Sequence, residues 1–261
     1  MIRQILSFKL ILLLTSLITS SAFGQASIDL ETGALFVNRN DASSSWQNSS
    51  GKLNGKDGTL FSYANDFQNQ AKPLIRFRAS YTFGKSKRHV ISLLAAPLQY
   101  KTTGSFSSAV VFNSNTFPAN TSTEGFYKFS GYRLTYRYYL KNTDKIKLGI
   151  GLTLNLRDAE FSLKQGTKYE RNYNRGFVPL INTFLDYKIT SKVGILIDGD
   201  VFYVDNTGGA IDYLSGLNYK VSNKLTLKSG YRFFSGVGSE KGNVYNKLFV
   251  SSFVLGASYN F

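Results

Sequence analysis

The last stretch of the chain, residues 243–261, places the tightest constraint on the fold. From residue 249 to residue 261, every second side chain is apolar or aromatic apart from Ser251, and the positions between are mostly small or polar. Side chains that alternate in this way point to opposite faces of a β-strand. The stretch therefore predicts a strand with one apolar face, on which the aromatic residue Phe261 lies.

The first residues have the organisation of a secretory signal. Arg3 and Lys9 precede a short apolar run, and Ala22, Phe23 and Gly24 place small residues where a signal peptidase cleaves. The uncharged run after Lys9 is too short for a membrane-spanning helix, which is the alternative interpretation. We predict a signal peptide over residues 1–24 and a single exported domain over residues 25–261.

Composition narrows the class of protein. The chain has no Cys, which excludes a lipoprotein anchor, a disulfide framework and a thiolate metal site. Its 17 Tyr and 21 Phe with only 4 Pro favour a β-rich fold. The net charge of +15 suggests an anionic partner. Because the chain is predicted to be exported, we expect anionic lipid and no nucleic acid.

Alternating runs recur along the whole chain, joined in turn by short Lys-rich turns and by longer polar loops. Ten runs are predicted as strands, near residues 28–36, 73–83, 89–100, 126–140, 146–156, 177–189, 193–203, 211–219, 225–233 and 243–261. Polar loops are predicted at residues 38–72, 101–124 and 164–175, with residues 106–112 continuing the preceding strand. An even number of strands with short turns at one end predicts an all-β fold, a closed antiparallel up-and-down transmembrane β-barrel. Eight or twelve strands remain open.

The final strand resembles the closing strand of bacterial outer-membrane β-barrels. The resemblance implies that the apolar side chains on its outer face belong to the segment read by the barrel-insertion machinery; these are Phe253, Leu255, Tyr259 and Phe261. The whole pattern is similar to the small OmpA-like and OmpW-like barrels, in a Bacteroidota version rich in Tyr, Asn and Lys. It implies a Gram-negative outer membrane, contact with its lipids and lipopolysaccharide, and a monomer.

The strand face opposite the apolar one carries charges of both signs. Its predicted lumen charges are Arg76, Arg78, Arg133, Arg137, Arg157, Asp186, Asp198, Asp200, Asp212, Lys228 and Arg232, and Asp29 and Glu31 share their parity. Side chains nearly fill a barrel this small, and buried charges must be paired. We therefore predict an occluded lumen and a non-enzymatic protein with a structural or recognition role through its outer loops. A small porin for polar solutes is the alternative.

A catalytic or metal role finds little support. Omptin-type proteases and lipid A deacylases use His as a general base beside an acid or Ser, but His89 follows Arg88 in a predicted turn without such a motif. A lipid A-processing or peptide-processing enzyme is thus the second alternative. Asp198 and Asp200 share a face that, with Asp186 and Asp212 on adjacent strands, could bind calcium or magnesium, yet the many basic residues favour ion pairs. We predict no catalytic site, metal or cofactor.

Overall fold

A computed structural model describes residues 24–45, 58–204, 208–238 and 244–261 of the chain. Regular structure in these ranges is entirely β, and none of their residues form a helix long and apolar enough to cross a bilayer. The predicted signal peptide lies outside the described residues, except Gly24, which begins the first strand.

Fourteen strands lie within the described ranges. They are β1 (Gly24–Ser44), β2 (Phe61–Ser62), β3 (Lys72–Phe83), β4 (His89–Ala96), β5 (Gln99–Gly104), β6 (Val110–Phe112), β7 (Asn115–Phe117), β8 (Thr123–Asn142), β9 (Ile146–Gln165), β10 (Lys168–Lys188), β11 (Val193–Val204), β12 (Gly208–Lys220), β13 (Leu225–Gly238) and β14 (Val244–Asn260).

The sheet closes on itself. Each barrel strand pairs antiparallel with its neighbours, and β1 pairs with both β3 and β14. After a break at Pro97 and Leu98, β5 continues beside β8, so β4 and β5 together form one strand of the wall. The ring is β1, β3, β4 with β5, and β8 to β14, which confirms the predicted ten-stranded barrel. Within the described residues, the short β2 pairs with β1, and no further hairpin of the first loop joins the ring.

Strand β9 illustrates why these sequences form a barrel wall. Its outward residue Leu152 is 69% exposed, whereas the neighbouring inward residue Thr153 is 2% exposed. Every outward position from Ile146 to Leu156 is Ile or Leu, and eleven residues is about the length that a tilted strand needs to cross the hydrocarbon of a bilayer. The ring of such faces forms an apolar band around the barrel.

The two ends of the barrel differ. Short turns at residues 84–88, 143–145, 189–192 and 221–224 connect the strands at one end, which corresponds to the periplasmic end of outer-membrane barrels. At the other end, β8, β9 and β10 are 20, 20 and 21 residues long, against 12 and 13 for β11 and β12. The outer rim therefore has a high wall on one side and a low wall on the other.

Three sequence predictions of boundaries were wrong. Residues 164–175 form the tops of β9 and β10 around Gly166, whose positive φ of 55° permits a tight turn. Polar residues on both faces hid these strand ends from the alternation. The first strand continues past Asn38 to Ser44. The alternation did not show this continuation, because a bulge between Val37 and Arg39 changes the parity there. Residues 106–112 leave the wall, and β6 and β7 form a separate hairpin.

The hydrophobic core lies inside the outer mouth of the barrel. Aromatic residues of the two long loops, such as Phe61 and Phe106, pack against inward-facing residues of the wall, such as Leu248. We call this cluster the aromatic cap. Its aromatic members are Phe61, Tyr63, Phe67, Tyr100, Phe106, Phe112, Phe117, Tyr127 and Phe161.

Candidate functional site

The lumen of the barrel is crossed by a layer of ion pairs, centred on Glu31. This residue of β1 is 2% exposed. Its carboxylate lies 2.7 Å from Lys228 Nζ, 3.0 Å from Arg232 Nη2 and 3.3 Å from Arg76 Nε. One acid is thus surrounded by three cations, which come from the strands on both sides of β1.

A second acid links these cations to the far wall. Asp212 of β12 lies 2.6 Å from Arg232 Nη1, 2.7 Å from Arg133 Nη1 and 3.1 Å from Arg76 Nη1. Arg76 and Arg232 each contact both Glu31 and Asp212. The two acids therefore belong to one continuous network, which we call the ion-pair layer.

Further pairs complete the ion-pair layer across the barrel. Arg78 on β3 pairs with Asp198 on β11, which also lies 2.6 Å from Arg137 Nη2. Arg133 lies 2.7 Å from Asp200. Because β3 and β11 are five strands apart in either direction around a ring of ten, the pair of Arg78 and Asp198 spans the full width of the lumen.

Neutral side chains add hydrogen bonds to this layer. Asn182 accepts a hydrogen bond from Arg137 Nε at 2.7 Å and donates one to Asp200 Oδ1 at 2.9 Å. Thr153 donates to the same carboxylate at 2.8 Å, and the Arg137 guanidinium lies 4.2 Å from the centre of the Phe184 ring. These residues were not predicted from the sequence because they are uncharged, although the alternation shows that they face inward.

The structure brings nine of the eleven predicted lumen charges into ion pairs and adds Asp29 and Glu31. Within the described residues, Arg157 and Asp186 have no ion-pair partner: Arg157 donates to Asn174, and Asp186 accepts from Asn218 at 2.9 Å. Of the four acids considered for a metal site, Asp198, Asp200 and Asp212 each pair with arginine, and Asp186 accepts a hydrogen bond from Asn218.

A cavity of about 630 Å³, which we call the vestibule, lies between the ion-pair layer and the aromatic cap. Arg133, Asp200 and Asp212 form its floor, and Tyr127 and Phe161 belong to its roof. Its walls are largely apolar, with Phe129, Val178, Leu180, Phe202, Ala210 and Phe234 among them. The vestibule thus joins a charged floor to apolar walls.

Buried hydroxyl groups hold the aromatic cap to the barrel. Tyr63 donates to the carbonyl of Ser162 at 2.8 Å, and Tyr127 donates to Asn246 Oδ1 at 2.8 Å. Burial raises the pKa of both phenols well above 10.0, the ordinary value for tyrosine. The cap therefore closes the outer mouth with neutral, hydrogen-bonded aromatic residues.

His89 lies at the opposite end of the molecule. It begins β4 rather than lying in the preceding turn, which corrects the prediction. Its Nδ1 lies 2.9 Å from the Tyr136 hydroxyl, and its ring stacks on Phe83 with centroids 5.3 Å apart. No Asp or Glu of the described residues forms an ion pair with it. These contacts fit an aromatic cluster at the short-turn end of the barrel.

The predicted assembly residues of the last strand lie on the outer surface. Phe253 is 67% exposed, Leu255 64%, Phe261 54% and Tyr259 42%. Their side chains contribute to the apolar band. Their part in assembly stays a prediction.

Comparison with known proteins supports the fold. No family model matches the sequence, and no curated protein matches it. Outer membrane protease OmpT from Escherichia coli has a similar structure, with 11% sequence identity and a TM-score of 0.57 over 91% of this chain and 97% of the protease. At this identity, the similarity shows a shared barrel fold and nothing about activity.

Two further similar structures agree less well. The translocator domain of autotransporter NalP from Neisseria meningitidis has 13% identity and a TM-score of 0.43, over 99% of this chain and 96% of the domain. Ail, the attachment invasion locus protein of Yersinia pestis, has 12% identity and a TM-score of 0.37, over 92% of this chain and 99% of Ail. Neither similarity is close enough to carry an argument.

Proposed function

We propose that this protein is a non-conducting, non-enzymatic barrel of the bacterial outer membrane, with a recognition role through its outer surface. The observation that carries the proposal is the pair of Arg78 and Asp198, which joins opposite walls of the lumen. The OmpA-like or OmpW-like type and a Bacteroidota origin remain predictions from the sequence.

The energetics of the ion-pair layer support a closed lumen. Removing one partner from a buried ion pair costs about 3–5 kcal/mol, because the other charge is left in a poorly solvated site. Glu31 and Asp212 each have three cationic partners, so an open path for ions would require several such pairs to separate together. The aromatic cap is a second barrier above this layer.

Ordered outer loops support recognition as the role. The hairpin of β6 and β7 is bound to the high wall through Glu170, which accepts hydrogen bonds from Ser114 Oγ at 2.7 Å and Asn115 Nδ2 at 2.6 Å. A surface that is already ordered loses little conformational entropy when a partner binds. The outer surface is therefore suited to binding a macromolecular partner or a neighbouring cell surface.

A polar groove supports contact with membrane lipids. This groove of about 660 Å³ lies on the outside of the high wall, and Lys72, Lys101 and Lys164 line it beside Tyr169. Lysines near a membrane surface attract anionic head groups. We propose that outer-membrane lipids or lipopolysaccharide phosphates contact this face of a monomeric barrel, which the insertion machinery assembles.

Single-channel recording in a planar bilayer tests the proposed function. The refolded mature chain, shown by heat-modifiable migration to be folded, is expected to give no current steps. A variant with Arg78→Ser and Asp198→Ser serves as a comparison, because it removes the pair that spans the lumen. Stable, ion-selective steps from the unmodified protein would overturn the proposal in favour of a porin.

A further inference from the structure

The barrel wall has a gap between β10 and β11. These strands pair from Ile181 and Val201 down to Lys188 and Gly194, and no higher. Above this point, residues 168–180 of β10 pair with β9 alone, whereas the last residues of β11 pair with β12 alone. The β6–β7 hairpin hydrogen-bonds to β10 at Lys168, Glu170 and Arg171, and Asn172 donates to Ser44 Oγ at 3.4 Å. Among the described residues, 173–180 of β10 therefore form an open edge, which we call the window.

The vestibule reaches the outside of the barrel through this window. Its lining contains the inward residues Val178 and Leu180 and also the outward residues Phe177 and Pro179, so the cavity extends around the edge of β10. Proline in a sheet is confined to edges and bulges, which fits an unpaired edge at Pro179. Phe177, next to the window, is 69% exposed on the outer surface.

The window lies at the upper border of the apolar band. On the outer face of β10, the apolar residues Ile181, Pro179 and Phe177 are followed by Arg175. Arg175 lies 3.3 Å from Asp158, which continues the outward parity of β9. The outer surface thus changes from apolar to charged beside the window, as it does where hydrocarbon meets lipid head groups.

The charged residues of the vestibule are not all paired. The acids of its floor, Asp200 and Asp212, pair with arginines, and Lys128 at its outer rim pairs with Asp158 at 2.6 Å, which leaves Glu160 at the same rim without an ion pair among the described residues. Arg157 also lines the cavity, but its hydrogen-bond partner among the described residues is the neutral Asn174. One positive charge in the vestibule therefore has no acidic partner in the part of the chain that the structure describes.

The surroundings of Arg157 leave room for a ligand. Its two cross-strand neighbours are glycines, Gly131 on β8 and Gly176 on β10. A Cβ atom at Gly176 would meet nothing closer than Asn174 Oδ1 at 4.0 Å, whereas one at Gly131 would lie 2.9 Å from Asn155 Oδ1, so the free space is on the side of β10. Among the residues that line the vestibule, three buried polar atoms have no hydrogen-bond partner within the described residues: Arg133 Nε, Asn155 Oδ1 and Arg157 Nε. Such atoms are rarely left unsatisfied in a native site.

We propose that the vestibule binds a monoanionic amphiphile with a single apolar chain, such as an alkyl carboxylate, which enters through the window from the outer leaflet. Arg157 binds the anionic group. The chain lies against Leu180, Phe202 and Phe234 and leaves between β10 and β11. A volume of about 630 Å³ is within the range of small-molecule sites.

Equilibrium binding tests the charge of the ligand. The full mature protein in lipid nanodiscs is titrated with dansyl-undecanoate, and bound probe is competed with dodecanoate, dodecanol or dodecyltrimethylammonium. Dodecanoate should compete best. Arg157→Gln should weaken dodecanoate binding about tenfold to a hundredfold, the effect of losing one charged hydrogen bond, without weakening dodecanol binding. Arg175→Gln is the matched control, since Arg175 does not line the vestibule, and should bind as the unmodified protein does.

Competition by the cation as strong as that by dodecanoate, or equal losses in both arginine variants, would overturn the charge assignment. If Arg157→Gln does not fold, Ala210→Trp provides a second test. Ala210 lines the vestibule, so a tryptophan there should fill it and abolish saturable binding. Normal binding by the folded Ala210→Trp protein would place the ligand elsewhere and reject the proposal.

Photolabelling tests the route. A diazirine-bearing dodecanoate, supplied either in the nanodisc lipid or from solution to detergent-free protein in amphipol, is activated and the labelled peptides are mapped. Label on Phe202 or Phe234 inside the vestibule from the lipid-supplied probe is the expected result. Label confined to the loop surface, or obtained only from solution, would reject entry through the window. Neither experiment measures conductance, so the outcome does not depend on whether the lumen conducts ions.

Discussion

The ion-pair layer and the aromatic cap close the same barrel by different means. The layer consists of charges fixed on strands across the lumen, for example Arg78 on β3 and Asp198 on β11, so it can separate only if the wall itself deforms. The cap consists mainly of loop residues folded back onto the wall, such as Phe61 and Phe112. Opening the lumen therefore requires the whole barrel to deform or unfold. Opening the mouth requires only local unfolding of the aromatic cap.

The largest expected effect is in the ion-pair layer. Glu31→Gln leaves three cations around a neutral group and should destabilise the barrel by about 3–5 kcal/mol. Urea unfolding in phospholipid vesicles measures the change. Asp186→Asn is the control, because Asp186 has a neutral partner, Asn218, and should cost about 1 kcal/mol or less. Equal costs in both variants would mean that the layer does not stabilise the fold.

The second-largest effect is expected on the stability of the aromatic cap alone. Phe112 is fully buried among Phe61, Phe117 and Phe161. Phe112→Ala should lower the free energy of cap opening by about 3 kcal/mol, since it leaves a cavity. Hydrogen exchange should then speed up in β6 and β7 while the urea midpoint of the barrel is unchanged.

A matched control for this variant is Phe253→Ala, because Phe253 lies on the outer surface at 67% exposure and does not contact the cap. Its exchange in β6 and β7 should remain that of the unmodified protein. A lower urea midpoint in Phe112→Ala would show that the cap and the barrel unfold as one unit, which would break the comparison.

Alkaline titration distinguishes the cap through its tyrosines. Burial raises the pKa of Tyr63 and Tyr127 above 10.0, so both should ionise at a higher pH than an ordinary tyrosine. A raised pKa in the folded state means that their contribution to stability is present below pH 10 and is lost as the pH rises towards the folded-state pKa. Absorbance of tyrosinate should show a late phase.

Replacing one of these phenols should shorten that late phase. Tyr63→Phe removes one late-ionising group and the hydrogen bond to Ser162, at a cost of about 1 kcal/mol. Ionisation of all tyrosines in a single phase would contradict the buried position of Tyr63.

The smallest effect is expected on the outer face of the wall, above the apolar band. Asp158 is only 4% exposed there, but both its partners reach solvent, Lys128 at 2.6 Å and Arg175 at 3.3 Å. The hydrogen bond from Lys128 lowers the pKa of Asp158 below 3.8, so the stabilisation is present above that pH and is lost as the pH falls through the folded-state value. Asp158→Asn should cost about 0.5 kcal/mol, and 1 M salt should reduce that cost. A salt-independent loss of several kcal/mol would place Asp158 with the buried ion pairs.

Alternation in the sequence predicted the ten-stranded barrel because lipid on one side and lumen on the other impose a period of two. It also gave the inward parity of residues such as Asp198 and Arg78. It did not give their pairing, because which residues meet across the lumen depends on how the closed sheet is staggered. The high wall was missed for a related reason: above the band, both faces meet water or loops, so residues 157–176 need not alternate.

Two of the three cationic partners of Glu31 lie near the other end of the sequence. Lys228 is 197 residues away along the chain, and Arg232 is 201 residues away. Contacts of such high sequence separation form late and slowly, because a long loop must close first. The centre of the lumen is therefore the last part of the molecule to lose its water. Until β1 meets β13 and β14, these charges remain hydrated, and they help keep the unfolded chain soluble on its way to the membrane.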